Sequence, residues 1–208
     1  MDGCPRDATC WHESSHAVVS RHLFQKRLLH ATIIPGRRAD GTTYRGRVRS
    51  RKSQIRNIAK SFIVDNDAME AASPRLVQNV QGFAFHRIVV AVAGSAGERL
   101  FCDLDGRLAG VDKRNAEQYA ALICRTSTGI RRLLQAADAE AEEILNEHDY
   151  AVRALAIALR DNRTLTGRQI DMTIAKAITD HDALLRSPAG AARARMLARQ
   201  RAAEGRRL

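Results

Sequence analysis

The stretch His12-Glu13-Ser14-Ser15-His16 reads His-Glu-x-x-His, and the remainder of the chain can be understood as a scaffold for it. No Gly or Pro occurs between residues 6 and 35, which predicts a helix there. Residues four apart lie on one face of a helix, so His12 and His16 are predicted to hold one zinc ion, with Glu13 as general base. An amphipathic helix can carry this pentapeptide by chance, so a third ligand and a matching scaffold decide the interpretation.

Length and composition favour one mostly helical domain. The 208 residues suffice for one sizeable core, or for one domain and a tail. The hydrophobic fraction is 45% and aromatic residues make up only 4%, so the core is predicted to consist mainly of Ala, Leu, Ile and Val on helices. We divide the chain into a domain over residues 1–186 and a basic, Ala/Arg-rich tail over residues 187–208.

The chain is strongly basic. Its formal net charge is +11 and its pI is near 10.4, which raises the expectation of a polyanionic partner. Residues 45–60 form the strongest basic run, and together with the tail they are the candidate surface for nucleic acid. A solvated basic surface is favoured over nucleic-acid binding, because nothing marks a recognition helix and few aromatic residues could stack on bases.

Cysteine usage and hydropathy favour a reducing compartment. There is no Cys-x-x-Cys pair among the four cysteines, Cys4, Cys10, Cys102 and Cys124. Cys10 lies two residues before His12, a spacing that points it away from the metal-binding face of a helix. The polar opening lacks an apolar leader, and the longest apolar run, residues 88–93, is too short to span a membrane. The sequence therefore predicts a soluble, cytoplasmic protein without a membrane span.

A small sheet is expected directly after the metal-binding helix, which should begin at a cap on Asp7 or Thr9. Residues 31–34 are β-branched and apolar and stop at a Pro-Gly turn, and residues 42–44 form a second short strand. The two strands are predicted to pair as a hairpin. An extended peptide could be added along its outer edge.

Most of the remaining chain is predicted to be helical. Apolar residues at three- and four-residue spacing indicate a buried helix over residues 84–101, preceded by a helical start near Pro74. On it, Gly94 and Gly97 would let another helix approach closely. A loop follows over residues 102–110. Further helices are predicted from residue 111 or 112, over 131–146, over 150–159, and from Gly167 to about residue 180 behind a Thr-x-x-Gln capping box.

Five short motifs follow one another in a specific order. They are His-Glu-x-x-His, Ala31-Thr32-Ile33-Ile34-Pro35-Gly36, Ala93-Gly94-Ser95-Ala96-Gly97-Glu98-Arg99-Leu100, Gly110-Val111-Asp112 and Arg163-Thr164-Leu165-Thr166-Gly167. In this order they resemble the peptidase domain of the FtsH family of ATP-dependent zinc metalloproteases, over about residues 9–175. The resemblance implies a mostly α zinc-metallopeptidase fold with a small hairpin or sheet beside the metal helix.

The resemblance also implies the remaining site residues. The family takes its third zinc ligand from an Asp at the start of a helix, and Asp112 occupies that place. Asp103 and Asp105, in the preceding loop, are the rival ligands. Glu98 falls on a family Glu that supports the site without binding the metal. From the residues alone, Asp112 can also be explained as a helix cap or a partner of the helix dipole.

Two departures from the family affect the expected function. The family usually has Ala-Gly where this chain has Ser14-Ser15, so a hydroxyl near the metal could alter the water network. The ATPase module and membrane anchors of the family are absent from this sequence. A separate unfoldase chain is therefore expected to act on folded substrates, unless none is needed.

The sequence thus predicts a zinc-dependent endopeptidase that hydrolyses unfolded or extended polypeptides. Zinc is the cofactor, His12, His16 and Asp112 are its ligands, and Glu13 is the catalytic base. Two alternatives stay open. One is an intracellular peptidase resembling the ImmA/IrrE group, which cuts one DNA-binding regulator. The other is a non-catalytic basic module that binds nucleic acid. The oligomeric state is also left open.

Overall fold

The computed structural model describes residues 5–25, 28–37, 41, 43–50 and 53–188. The helices in this part of the chain are α1 (Pro5–Phe24), α2 (Gln54–Val64), α3 (Asn66–Glu70), α4 (Pro74–Cys102), α5 (Gly110–Ala120), α6 (Ser127–Glu147), α7 (Asp149–Asn162) and α8 (Gly167–Arg186). The strands are β1 (Leu28–Thr32), β2 (Gly36–Arg37), β3 (Thr43–Tyr44), β4 (Arg47–Ser50) and β5 (Thr164–Thr166). The predicted fold class, mostly α with a small sheet, is confirmed.

Helix α4 is the central element of the core. Pro74 occupies its first turn and the Ser73 side chain accepts a hydrogen bond from the Leu76 amide, so the helix begins where a proline is tolerated. It ends at Asp103, which adopts a left-handed conformation with φ 53°. Residues 88–97 are buried without interruption. The predicted buried helix and the predicted start near Pro74 are therefore parts of one continuous helix.

Helix α1 packs directly on α4, and small residues make this contact possible. Gly97 of α4 faces Ser15 of α1 so closely that a Cβ at position 97 would overlap the Ser15 hydroxyl. The Ser15 hydroxyl turns back along its own helix and donates a hydrogen bond to the Trp11 carbonyl at 2.8 Å. The expectation that Gly97 permits a close helix approach is thus met by α1.

The sheet differs from the predicted hairpin. Strand β1 is the middle strand of three, in the order β4-β1-β5, and it is antiparallel to both neighbours. Residues 43–44 pair instead with residues 36–37 in a separate two-stranded sheet. The predicted pairing of 31–34 with 42–44 is therefore wrong, and the first part of the basic run contains strand β4.

The cross-strand contacts explain this arrangement. Ala31 lies opposite Val48 on one side and opposite Leu165 on the other. Ala31 and Leu165 are buried, and Val48 packs against the same core. The three strands therefore bury one apolar row, whereas a hairpin with residues 42–44 would offer Ala31 no such partner.

The ends of the helices agree with the sequence in some places and not in others. The capping box predicted before the last helix is present, with Thr166 and Gln169 bonded reciprocally, although α8 continues to Arg186 rather than ending near residue 180. The predicted cap of α1 at Asp7 or Thr9 is wrong, because the helix already begins at Pro5, a residue well suited to a first turn. Cys4 and tail residues 189–208 lie outside the described residues.

Within the described residues, one helix is long and apolar enough to cross a membrane by length and composition, namely α4. Of the most apolar part of α4, 44% is buried inside the fold. A buried core helix passes this test as readily as a membrane-spanning one, so the expected absence of a membrane span stays a prediction.

Candidate metal centre

Three predicted ligands converge at one point. The Nε2 atoms of His12 and His16 lie 3.0 Å apart, and Oδ2 of Asp112 lies 3.4 Å from the first and 3.5 Å from the second. All three ligand atoms fall within 4.8 Å of one another. Among the described residues, this is the one group of three or more His, Cys, Asp and Glu side chains arranged so that they could hold a metal ion.

Local helix geometry brings these side chains together. His12 and His16 are four residues apart on α1, so their rings lie one turn apart on the same face of the helix, nearly perpendicular to each other. Asp112 lies in the first turn of α5, where the helix N-terminus also favours a carboxylate. Its rivals are elsewhere. Asp103 caps the end of α4, and Asp105 forms an exposed ion pair with Arg107 at 2.6 Å.

The other nitrogen of each imidazole is also held. Nδ1 of His12 lies 3.0 Å from Oε1 of Glu98, and Nδ1 of His16 lies 2.6 Å from the Val90 carbonyl. Both acceptors favour a proton on Nδ1, so in the neutral form of each ring Nε2 carries the lone pair that can bind a metal ion. Glu98, which was expected to support the ligands, thus contacts the predicted ligand His12 and is not part of the group formed by His12, His16 and Asp112. This arrangement is typical of histidines that bind metals.

The charges of the site are strongly coupled. Burial disfavours the imidazolium form of His12, but hydrogen bonds to Asp112 and Glu98 and the charge of Glu13 outweigh it and raise the pKa of His12 to about 10. Burial likewise opposes ionisation of Asp112, yet the neighbouring His16 and His12 hold its pKa well below the usual range. The carboxylates of Asp112, Glu98 and Glu13 therefore favour a positive charge at this point of the cleft. A bound cation would provide that charge.

Glu13 occupies the same cleft. Its residue is only 5% exposed, and a Cβ added at Gly46 would lie 2.6 Å from the Glu13 Cγ atom. Gly46, in the turn before β4, therefore leaves the space into which the Glu13 side chain extends. No pattern in the sequence indicated this role for Gly46.

Gly94 has a second role that its spacing did not reveal. A Cβ at this position would lie 2.5 Å from Nε2 of His12 and 2.6 Å from Nε2 of His16. Such distances are far shorter than a van der Waals contact. The glycine was expected to admit a neighbouring helix, and the neighbours it admits are the two imidazole rings.

Ser14 and Ser15 point away from the cleft. Ser14 is fully buried, and within the described part of the chain its hydroxyl oxygen has no hydrogen-bond partner. Ser15 packs against Gly97 as described above. Neither residue lines the cleft that contains His12, Glu13 and His16. Cys10, also predicted to face away from the ligands, lies in the hydrophobic core.

The cleft has a volume of about 850 Å³. Besides the histidines, the cleft is lined by residues 44–50, which include β4, and by the first turn of α5. Two arginines that the sequence did not single out as site residues, Arg56 and Arg87, also line it. A cleft of this size, with convergent polar groups, can accept a short segment of polypeptide.

Comparison with known proteins gives no family assignment. No protein-family model matches the chain, and no curated protein matches it significantly. The metal centre must therefore be interpreted from its own geometry.

Proposed function

We propose that this protein is a zinc-dependent endopeptidase. The observation that carries the proposal is the convergence of Nε2 of His12, Nε2 of His16 and Oδ2 of Asp112, with the buried carboxylate of Glu13 in the same cleft. A purely structural zinc site needs no additional buried carboxylate. Three protein ligands and an accessible cleft are typical of catalytic rather than structural zinc sites.

The donor set fits zinc. Two imidazole nitrogens and one carboxylate oxygen are common ligands of catalytic zinc, whereas calcium and magnesium prefer oxygen ligands alone. The contacts of His12 with Glu98 and of His16 with the Val90 carbonyl orient both rings for this purpose. Zinc, when bound, supplies a Lewis acid that activates water and polarises the scissile carbonyl.

The protein residues carry out the proton transfers. Glu13 follows the first histidine on α1, so its carboxylate can take a proton from the attacking water and return it to the leaving amine. Burial of Glu13 restricts its rotamers, which places the base before the substrate arrives. Glu98 and the Val90 carbonyl keep the two histidines in the required tautomer and orientation.

The proposed substrate is an extended polypeptide. Strand β4 is an edge strand of the three-stranded sheet and lies in the wall of the cleft. Backbone groups on its unpaired side can bind a peptide as an additional strand. The sheet edge that lines the cleft is therefore formed by residues 47–50. The sequence had indicated the outer edge of a hairpin over residues 31–44 instead. Only a locally unfolded chain can adopt this conformation, so a separate unfoldase chain would be required for folded proteins.

The direct test compares zinc-loaded wild type with the variant Glu13→Gln on a flexible casein substrate. The wild type is expected to cleave casein and the variant to lose about 100-fold or more in rate while retaining its zinc, because the general base is removed and the ligands are not. A tightly folded substrate should resist both proteins. Equal rates for wild type and Glu13→Gln, or a wild type that binds no zinc, would contradict the proposal.

A further inference from the structure

Two arginines that line the cleft form no ion pair with any residue in the described ranges. Arg56 on α2 and Arg87 on α4 both line the metal cleft. Within the part of the chain that the structure describes, no carboxylate lies within ion-pair distance of either guanidinium. By contrast, Arg99, which follows Arg87 on the same helix, forms ion pairs with both Asp138 and Glu142.

The arginines also leave hydrogen-bonding capacity unused. The Nε atoms of Arg56 and Arg87 are buried and have no hydrogen-bond partner among the residues that the structure describes. Burial, with the positive charge of Arg56 adding to it, lowers the pKa of Arg87. A buried guanidinium nitrogen without an acceptor is costly and calls for an explanation. An anion bound between the two arginines would supply the missing charge and acceptors.

A recess at this position is built from polar and aromatic groups. Ser20, Ser50, Arg56 and Arg87 line both the main cleft and a small side recess of about 20 Å³. The recess therefore opens from the cleft that contains the metal ligands. Its volume is suited to a small polar group rather than to a whole side chain.

Aromatic rings hold one of the arginines in place. The guanidinium carbon of Arg87 lies 5.8 Å from the ring centroid of Tyr119, in cation–π geometry. Tyr119 packs edge-on against Phe83, at 6.2 Å between centroids, and Phe83 packs against Phe24 at 5.6 Å. The arginine is thus positioned before any ligand binds, which reduces the entropic cost of binding.

We propose that Arg56 and Arg87 bind a carboxylate of the polypeptide substrate and thereby position the scissile bond at the metal centre. This inference rests on the proposed peptidase function and adds a substrate class, namely peptides with a carboxylate near the cleavage point. Guanidinium groups bind carboxylates through paired, charge-assisted hydrogen bonds. The carboxylate belongs either to an acidic side chain or to the C-terminus of the peptide, and the experiment distinguishes these sources.

The test uses a short, neutral, internally quenched peptide that the wild type cleaves. A single Glu is placed at each position in turn, with Gln as the matched neutral residue, and each peptide is made with a free or an amidated C-terminus. A carboxylate at one of these positions is expected to raise kcat/KM about tenfold above that of the matched neutral peptide. This is the size of effect that one charge-assisted hydrogen bond gives. The variants Arg56→Gln and Arg87→Gln should abolish that gain, so that the kcat/KM ratio between each Glu peptide and its Gln partner falls to about one.

Lys60→Gln is the matched control. Lys60 lies one turn after Arg56 on α2 and is exposed outside the cleft, so its loss changes the net charge equally without touching the recess. It should retain the full preference for the acidic peptide. An equal loss on acidic and neutral peptides in the arginine variants would assign the arginines a structural role, and the absence of any preference in the wild type would also overturn the proposal.

A binding measurement separates this inference from the peptidase function itself. Fluorescently labelled versions of the same peptides are titrated into Glu13→Gln protein, with fluorescence anisotropy as the readout. If the acidic peptide binds about tenfold tighter and the arginine variants lose this difference, the recess binds carboxylates even when no peptide is cleaved. A labelled single-stranded oligonucleotide is titrated in the same way. If it binds and the arginine variants weaken its binding, while the acidic peptide shows no such dependence, the proposal is overturned in favour of nucleic acid.

Discussion

The Nδ1 atom of His12 lies 3.0 Å from Oε1 of Glu98, a residue 86 positions later in the chain. The contact connects α1 to α4 and determines which imidazole nitrogen faces Asp112. Because a histidine that binds a metal through one nitrogen is oriented through the other, Glu98 would support the proposed zinc site without being one of its ligands.

Replacing Glu98 by Gln should weaken zinc binding by about 10- to 100-fold, because the carboxylate that orients His12 is removed. Competition with a chromogenic chelator measures the affinity. Glu140→Gln, an exposed change on α6, serves as the control and should bind zinc like the wild type. Unaltered zinc affinity in Glu98→Gln would show that the contact with His12 is not needed for metal binding.

Two glycines of the same helix should respond oppositely to alanine. In Gly94→Ala the added methyl would meet both imidazole rings, so we expect loss of most bound zinc. In Gly82→Ala the methyl meets nothing within 4 Å, so zinc content should be unchanged. Gly82→Ala should also stabilise the fold by about 0.5–1 kcal/mol, because alanine favours the helix. Metal analysis and urea unfolding measure both quantities, and full zinc occupancy in Gly94→Ala would contradict the structure.

Zinc uptake should depend steeply on pH. Without metal, the pKa of His12 is raised from 6.5 to about 10, so near neutral pH zinc must displace a proton from it. The apparent zinc affinity is expected to rise about tenfold per pH unit between pH 7 and 9. A pH-independent affinity over this range would show that His12 carries no such proton.

The same shift predicts how the stability of the metal-free protein varies with pH. A pKa raised on folding stabilises the protein fully below pH 6.5, and the effect is lost as pH rises towards 10. Stability of the chelator-treated wild type should therefore fall by about 1 kcal/mol per pH unit between pH 7 and 9. Asp112→Asn removes the hydrogen bond that contributes most to the raised pKa, so its urea unfolding should vary less with pH.

The two serines of the metal-binding motif should differ in their effect on stability. The buried Ser14 hydroxyl has no hydrogen-bond partner, so Ser14→Ala should leave stability unchanged or raise it by up to about 1 kcal/mol. Ser15→Ala removes a hydrogen bond to the Trp11 carbonyl and should not stabilise the protein. Neither change should alter zinc content, because neither side chain lines the cleft. Thermal unfolding and metal analysis of both variants test this, and a destabilised Ser14→Ala would indicate a partner for its hydroxyl.

Features that depend on a few neighbouring residues were predictable. The His-Glu-x-x-His spacing places two imidazoles on one helix face, because an α-helix repeats every 3.6 residues. The Thr166–Gln169 capping box and the apolar spacing of α4 are equally local, and both are present in the structure. Asp112 was indicated as a ligand only through a resemblance, since a single Asp at a helix start has several explanations.

Strand pairing and the assembly of the cleft could not be predicted from the sequence. Local periodicity in the sequence was enough to predict α1, α4 and the two histidines on one helix face. Only the fold determined that β1 pairs with β4 and β5, that Gly46 and Gly94 make room for Glu13 and the imidazoles, and that Arg56 and Arg87 share a recess. The physical reason is that helix geometry is set within one turn, whereas strand pairing and site assembly depend on which buried surfaces fit together across the whole chain.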